Sequence, residues 1–115
     1  SCSGLTALDL STFDTQNVQN MNSIFRNCSS LTALDLSPLD TQNVTDMCYM
    51  FCDCNGLSAL DLSHLNTQNV WNMDSIFRSC SGLTALDLST FDTQNVTHIR
   101  HILSVKWRQV QSCQL

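Results

Sequence analysis

Leu57-Ser58-Ala59-Leu60-Asp61-Leu62-Ser63 is one of four versions of a single phrase that recurs along the chain. The other copies open at Leu5, Leu31 and Leu83, so each begins 26 residues after the one before. Self-similarity at a fixed period marks a repeat architecture, in which one supersecondary unit packs against the next. Within the phrase, Leu60 and Leu62 alternate with Ala59, Asp61 and Ser63. That period of two belongs to a short half-buried strand with Leu inward and Asp and Ser outward. Phe13, Leu39, Leu65 and Phe91 follow as a further inward column. Pro38 precedes one of them, beyond the strand, where a lost N–H is tolerable.

Downstream, each unit continues through Asp/Asn-Thr-Gln-Asn-Val and then changes period. Val44, Met47, Phe51 and Cys54 are spaced by three or four residues, the apolar stripe of a short helix. Asn43 stands before it as an N-cap, with Asp46 three residues on. A looser 3₁₀-like segment would bury the same stripe, since so short a helix is marginal without tertiary support. Together the halves predict an α/β fold. It is a right-handed leucine-rich-repeat-like solenoid of four 26-residue coils over residues 1–103, with a short parallel sheet on one face and short helical segments on the other. Val105, Trp107 and Val110 extend the stripe into a basic amphipathic segment, so residues 104–115 read as a C-terminal cap or tail. Opening in mid-repeat at Ser1 with Leu5 and Leu8 uncapped, the chain reads as a piece of a longer protein.

All ten acidic residues are Asp, and net charge is −5. Only Arg26 and Arg78 oppose those Asp residues over positions 1–96, while Arg100, Lys106 and Arg108 follow. An acidic body argues against nucleic acid, whose phosphates demand a basic face, and favours cations or basic protein surfaces. No apolar run in this segment reaches the length of a membrane span. Of the seven cysteines, Cys2, Cys28, Cys54 and Cys80 occupy one repeat position. Such a column is expected to hold free thiols acting as small hydrophobes rather than a disulfide framework.

The row Asp9, Asp35, Asp61 and Asp87 is the sharpest electrostatic feature. Its carboxylates leave the strand face at inter-coil spacing, forming an acidic stripe for a basic partner or weakly held Ca²⁺, against the blander reading of a solvated face. Ser11, Ser37, Ser63 and Ser89, bound cation or partial protonation would offset the repulsion. The repeated Thr-Gln-Asn triplet is read as turn and cap chemistry in preference to a functional Thr array. Cys48 and Cys52 align with Asn22/Arg26 and Asp74/Arg78 in the flanking units, so both are expected to be exposed thiols. Cys52, between Arg26 and Arg78, is a candidate reactive thiolate, and with Cys54 the pair spells a soft-metal spacing, although Cys54 should face the core. Two incidental exposed cysteines remain the plainer reading. Trp71 replaces Gln19, Thr45 and Thr97 and is a candidate exposed aromatic anchor. His64, His98 and His101 form no metal motif, no glycine-rich phosphate loop occurs, and neither an enzyme nor a cofactor is expected.

Leu5-x-x-Leu8-x-Leu10 resembles the core of leucine-rich repeats. The fuller string Met47…Met50-Phe51…Cys54…Leu57…Leu60-Asp61-Leu62-Ser63…Asn66-Thr67…Asn69-Val70 resembles the 26-residue repeat of bacterial surface proteins of the BspA-like group, over residues 2–103. It departs from ordinary leucine-rich repeats at the usual Asn column, held here by Phe13, Leu39, Leu65 and Phe91. The resemblance implies a non-enzymatic adhesion or protein-binding module, at the cell surface or secreted, whose partner is an extracellular or host protein. The alternative is a purely structural spacer within a larger surface protein.

Overall fold

A computed structural model describes residues 4–84 and 86–100. In it the 26-residue units lie in register, and the backbone shows how. In the third quarter of each unit, successive amides donate alternately across to the next unit and back along the chain. Met47, Tyr49, Phe51 and Asp53 donate to the carbonyls of Asn72, Asp74, Ile76 and Arg78 at 2.8–3.0 Å. Met50, Cys52 and Cys54 donate instead to Met47, Tyr49 and Phe51, three residues back, at 3.2 Å. Met21, Ser23, Phe25 and Asn27 repeat the crossing to Asp46, Cys48, Met50 and Cys52, and Met73 and Ser75 repeat it to His98 and Arg100.

This alternation corrects the expected architecture. The α/β solenoid with a parallel sheet and helical segments is not adopted: the described residues contain no helix, and their strand-like pairing consists of isolated bridges, among them the parallel bridges Asn20↔Asp46, Asp46↔Asn72 and Asn72↔His98. A helix needs every amide to point back along its own segment, whereas every second amide here points to a neighbour. The geometry is enforced by Ser23, Asn27, Tyr49, Asp53, Ser75 and Ser79, whose φ values lie between 56° and 63°. Such left-handed residues, four apart in each unit, turn the chain repeatedly and bury a stripe with helix-like spacing. The Leu-Asp-Leu segment is no strand either. Asp9 caps the Ser11 amide and Phe13 donates to the Leu10 carbonyl at 3.0 Å, so the chain bends before a ladder can form. The result is compact, with a radius of gyration of 13.0 Å, about what a globule of this length has.

The columns foreseen in the sequence form the core except at their first members Leu5 and Phe13, which are 45% and 46% exposed although Phe13 was expected to face inward. Leu31, Leu57 and Leu83 are at most 1% exposed, as are Met47, Met50 and Phe51. Phe25, Phe51 and Phe77 stack with centroids 5.7 and 5.6 Å apart, and Phe91 closes the series 6.3 Å from Phe77. Offset stacking adds to plain area burial. Gly56 and Gly82 sit where one unit's turn meets its neighbour's backbone: a Cβ on Gly56 would lie 2.6 Å from the Leu31 oxygen and 2.7 Å from that of Ser29. The cap expected at residues 104–115 lies outside the described residues.

Candidate functional site

The candidate surface is built from Asx turns. Asp9, Asp35, Asp61 and Asp87 each accept, through Oδ1, the amide of the Ser two residues on, at 2.8–2.9 Å. All four are exposed. Those Ser hydrogen bonds, from backbone and side chain, hold the carboxyls below the usual carboxylate range, outweighing the repulsion of neighbouring Asp. Of the three ways to offset the charge, the Ser donors are in place, and the lowered carboxyls argue against partial protonation near neutrality. His64 adds a loose contact, its Nε2 standing 3.8 Å from Asp61 Oδ2. The row is thus a line of ionised, locally anchored carboxylates.

Behind it, the Asp/Asn-Thr-Gln-Asn segment joins units. The hydroxyls of Thr15, Thr41 and Thr67 each donate to a carbonyl 25 residues on, and accept the amide of that same residue. Asn43, Asn69 and Asn95 donate through Nδ2 to the carbonyls of Gln16, Gln42 and Gln68 at 2.7–2.8 Å. Asp40, Asn66 and Asp92 cap the amides of Gln42, Gln68 and Gln94. The triplet satisfies backbone groups where the chain bends. Asn66 doing the work of Asp40 shows that charge is not needed for this cap.

The cysteines depart from expectation in two ways. Cys48 and Cys52 are not exposed thiols: they are buried, at 7% and 2%. Burial pushes both thiols up, and the nearby Arg26 guanidinium pulls down too little to reverse it, so Cys52 is no activated thiolate. Cys48 accepts from Asn22 Nδ2 at 3.4 Å and Cys52 faces the Asp53 carboxylate at 3.4 Å. Cys54 donates to the Phe25 carbonyl at 3.0 Å, and Cys80 to that of Phe51 at 2.8 Å, so the soft-metal convergence does not occur. Among the described residues, no group of three His, Cys, Asp or Glu could hold a metal. Desolvation raises Cys54 to about 11 and Cys80 to about 12. Cys28, expected as a free thiol, is disulfide-bonded. Cys2 and Cys113 lie outside the described residues.

Trp71 is 42% exposed, and its ring meets His98 edge-on at 5.1 Å. Two contacts were missed in the sequence. Arg26 lies 4.9 Å over the Tyr49 ring, and Arg100 reaches Asp74 Oδ2 at 3.3 Å while Asp74 Oδ1 is buried without a partner among the described residues. Aligning the units in columns of 26 would have placed Arg100 beside Asp74; the Arg26–Tyr49 pair joins different columns and had no such signal. No helix among the described residues is long and apolar enough to cross a membrane.

Units that close their polar groups on one another in register define a tandem-repeat protein. The chain belongs to the DUF285 family, described as Mycoplasma protein of unknown function, whose model matches residues 1–112. No curated protein and no solved structure matches it.

Proposed function

We propose that the chain is a non-enzymatic binding module whose acidic row docks a basic protein surface. The observation that carries this reading is the row itself: exposed carboxylates at Asp9, Asp35, Asp61 and Asp87, held ionised and fixed by their Ser amides. Regularly spaced fixed charge costs a partner little reorganisation and steers a basic surface onto it. Trp71 supplies an exposed aromatic anchor on the same chain. Any Ca²⁺ held there would be weak, because a flat row lacks the oxygen cage that calcium takes. The likeness to bacterial surface-protein repeats of the BspA-like group supports a cell-surface or secreted setting, adhesion as the role, and an extracellular or host protein as the partner.

Catalysis is disfavoured by the chemistry of the thiols, which burial makes poor nucleophiles. A structural spacer is the second reading, favoured by the Thr and Asn side chains, which bond to backbone of adjacent units rather than facing a ligand. The test is binding to arrayed extracellular-matrix proteins and glycans, beside an Asp35→Asn/Asp61→Asn variant. Asn keeps the cap, as Asn66 does, so only charge is removed. Binding lost in the folded variant supports docking on the acidic row. Absence of binding by wild type leaves the spacer.

A further inference from the structure

Asn55-Gly56 is an Asn-Gly step in the second unit, where the neighbouring units carry Ser29-Ser30 and Ser81-Gly82. Asn55 is exposed, and among the described residues its side chain is held by a single 3.5 Å contact, from the Ser81 hydroxyl to Oδ1. The Gly56 amide has no hydrogen-bond partner among the described residues. Glycine also lacks the Cβ that would shield its nitrogen from a neighbouring side chain. An electrophilic carboxamide thus stands next to an unengaged, unhindered backbone N–H.

Every other described Asn lacks one of these conditions. Asn22, followed by the small Ser23, is tied at both ends: its Oδ1 accepts the Ser23 hydroxyl at 2.6 Å and its Nδ2 reaches Cys48 Sγ at 3.4 Å. The Ser23 amide is itself engaged, donating to the Cys48 carbonyl at 2.9 Å. After Asn17, Asn43, Asn69 and Asn95 comes a β-branched Val whose amide donates to a Thr carbonyl. The amides of Met21, Cys28 and Met73, which follow Asn20, Asn27 and Asn72, donate to the carbonyls of Asp46, Phe25 and His98. Asn66 precedes the β-branched Thr67, and its Oδ1 is occupied by the Gln68 amide at 3.1 Å.

We infer that Asn55 is a self-modifying site, converting through a cyclic imide with Gly56 to aspartyl and isoaspartyl forms. The Gly56 nitrogen gives up its proton and bonds to Asn55 Cγ, the Cγ–Nδ2 bond breaks, and Nδ2 takes up a proton and leaves as ammonia. Water then opens the ring. Addition at Cγ breaks its new bond to nitrogen and leaves an aspartyl side chain on the original backbone. Addition at the Asn55 backbone carbonyl breaks the old peptide bond instead, and the chain then runs through Cβ, one methylene longer. The junction has no room for that longer path. A Cβ on Gly56 would lie 2.6 Å from the Leu31 oxygen, and one on Gly82 would collide with the Asn55 oxygen. Close-packed surroundings do not absorb an inserted methylene without strain. The isoaspartyl form therefore loosens the second unit's seat on its neighbours, while the aspartyl form keeps it.

The test is incubation of the 115-residue chain in mildly alkaline buffer, folded and in denaturant, followed by peptide mapping with isoaspartate detection. In the folded chain Asn55 is expected to convert while Asn22 stays an amide. In denaturant Asn22 should begin to convert as well. Each conversion adds a negative charge to the chain's −5, so ion exchange follows loss of the parent peak, a loss that Asn55→Ser should suppress. Thermal unfolding of the separated products should give a lowered midpoint for the isoaspartyl form and the parent's midpoint for the aspartyl form. An Asn55 that stays an amide until the chain is unfolded overturns the inference, as does an Asn22 that keeps pace with it in the folded chain. An isoaspartyl form as stable as the parent overturns the loosening of the junction.

Discussion

The Thr41 hydroxyl donates to the Asn66 carbonyl at 3.0 Å and accepts the Asn66 amide at 2.8 Å, so one side-chain oxygen closes both backbone groups of a residue in the next unit. Thr41 is 1% exposed, and water cannot replace it. Thr41→Val keeps the shape and removes both bonds, which should cost about 2–4 kcal/mol, since each buried group left unsatisfied costs roughly 1–3. Thr41→Ser should cost about 1 kcal/mol or less. Urea unfolding of the three proteins checks the order.

At Ser79, φ is 60°, a conformation that β-branched residues resist. Ser79→Val should destabilise by about 1–3 kcal/mol, while Ser79→Gly should be neutral or mildly stabilising. If this segment were helical the order would reverse, because Gly is the poorer helix former. Thermal midpoints decide.

Gly56→Ala should cost about 1–3 kcal/mol, because the new methyl meets the Leu31 and Ser29 oxygens at 2.6 and 2.7 Å. Gly4→Ala, with nothing within 4 Å, should not. Where space allows, a Gly-to-Ala change stabilises through the unfolded state, so the pair of variants separates crowding from chain entropy. Denaturation curves read the difference.

Two pH windows follow from the shifted groups. The row carboxyls titrate lower folded than unfolded, so the unfolded state binds more protons. Their contribution is full above about pH 4 and is lost as pH falls through the folded values. The Cys54 and Cys80 thiols titrate higher folded, at about 11 and about 12, so stability falls as pH rises above roughly 8.5, the usual thiol value. Thermal midpoints across pH should show both declines. At pH 8, thiol titration should find Cys48, Cys52, Cys54 and Cys80 slow in the folded protein and fast in denaturant.

The sequence disclosed the period, the inward columns and the bend chemistry of Thr41-Gln42-Asn43, because identical positions must face identical neighbours when units lie in register. It did not disclose the path between columns. The stripe of Val44, Met47, Phe51 and Cys54 has helix-like spacing, yet turns pinned by Tyr49 and Asp53 in the left-handed region produce the same spacing. Leu8-Asp9-Leu10 alternates as a strand does, but Asp9 bends the chain two residues later. Cys48 and Cys52 were misplaced because their counterparts are polar or charged. A thiol is smaller than Arg, and in this unit Asn22 reaches over to Cys48. The acidic row was legible as a row; that Ser amides anchor each member required the geometry.

Backbone amides cross between units at every second position, and through-hydrogen-bond scalar couplings in a ¹³C,¹⁵N-labelled sample report that crossing bond by bond. A coupling from the Phe51 nitrogen to the Ile76 carbonyl carbon, matched by Met47 to Asn72, is the predicted result. A coupling from the Phe51 nitrogen to the Met47 carbonyl carbon instead would mean a helix, and would rule out the crossing between units.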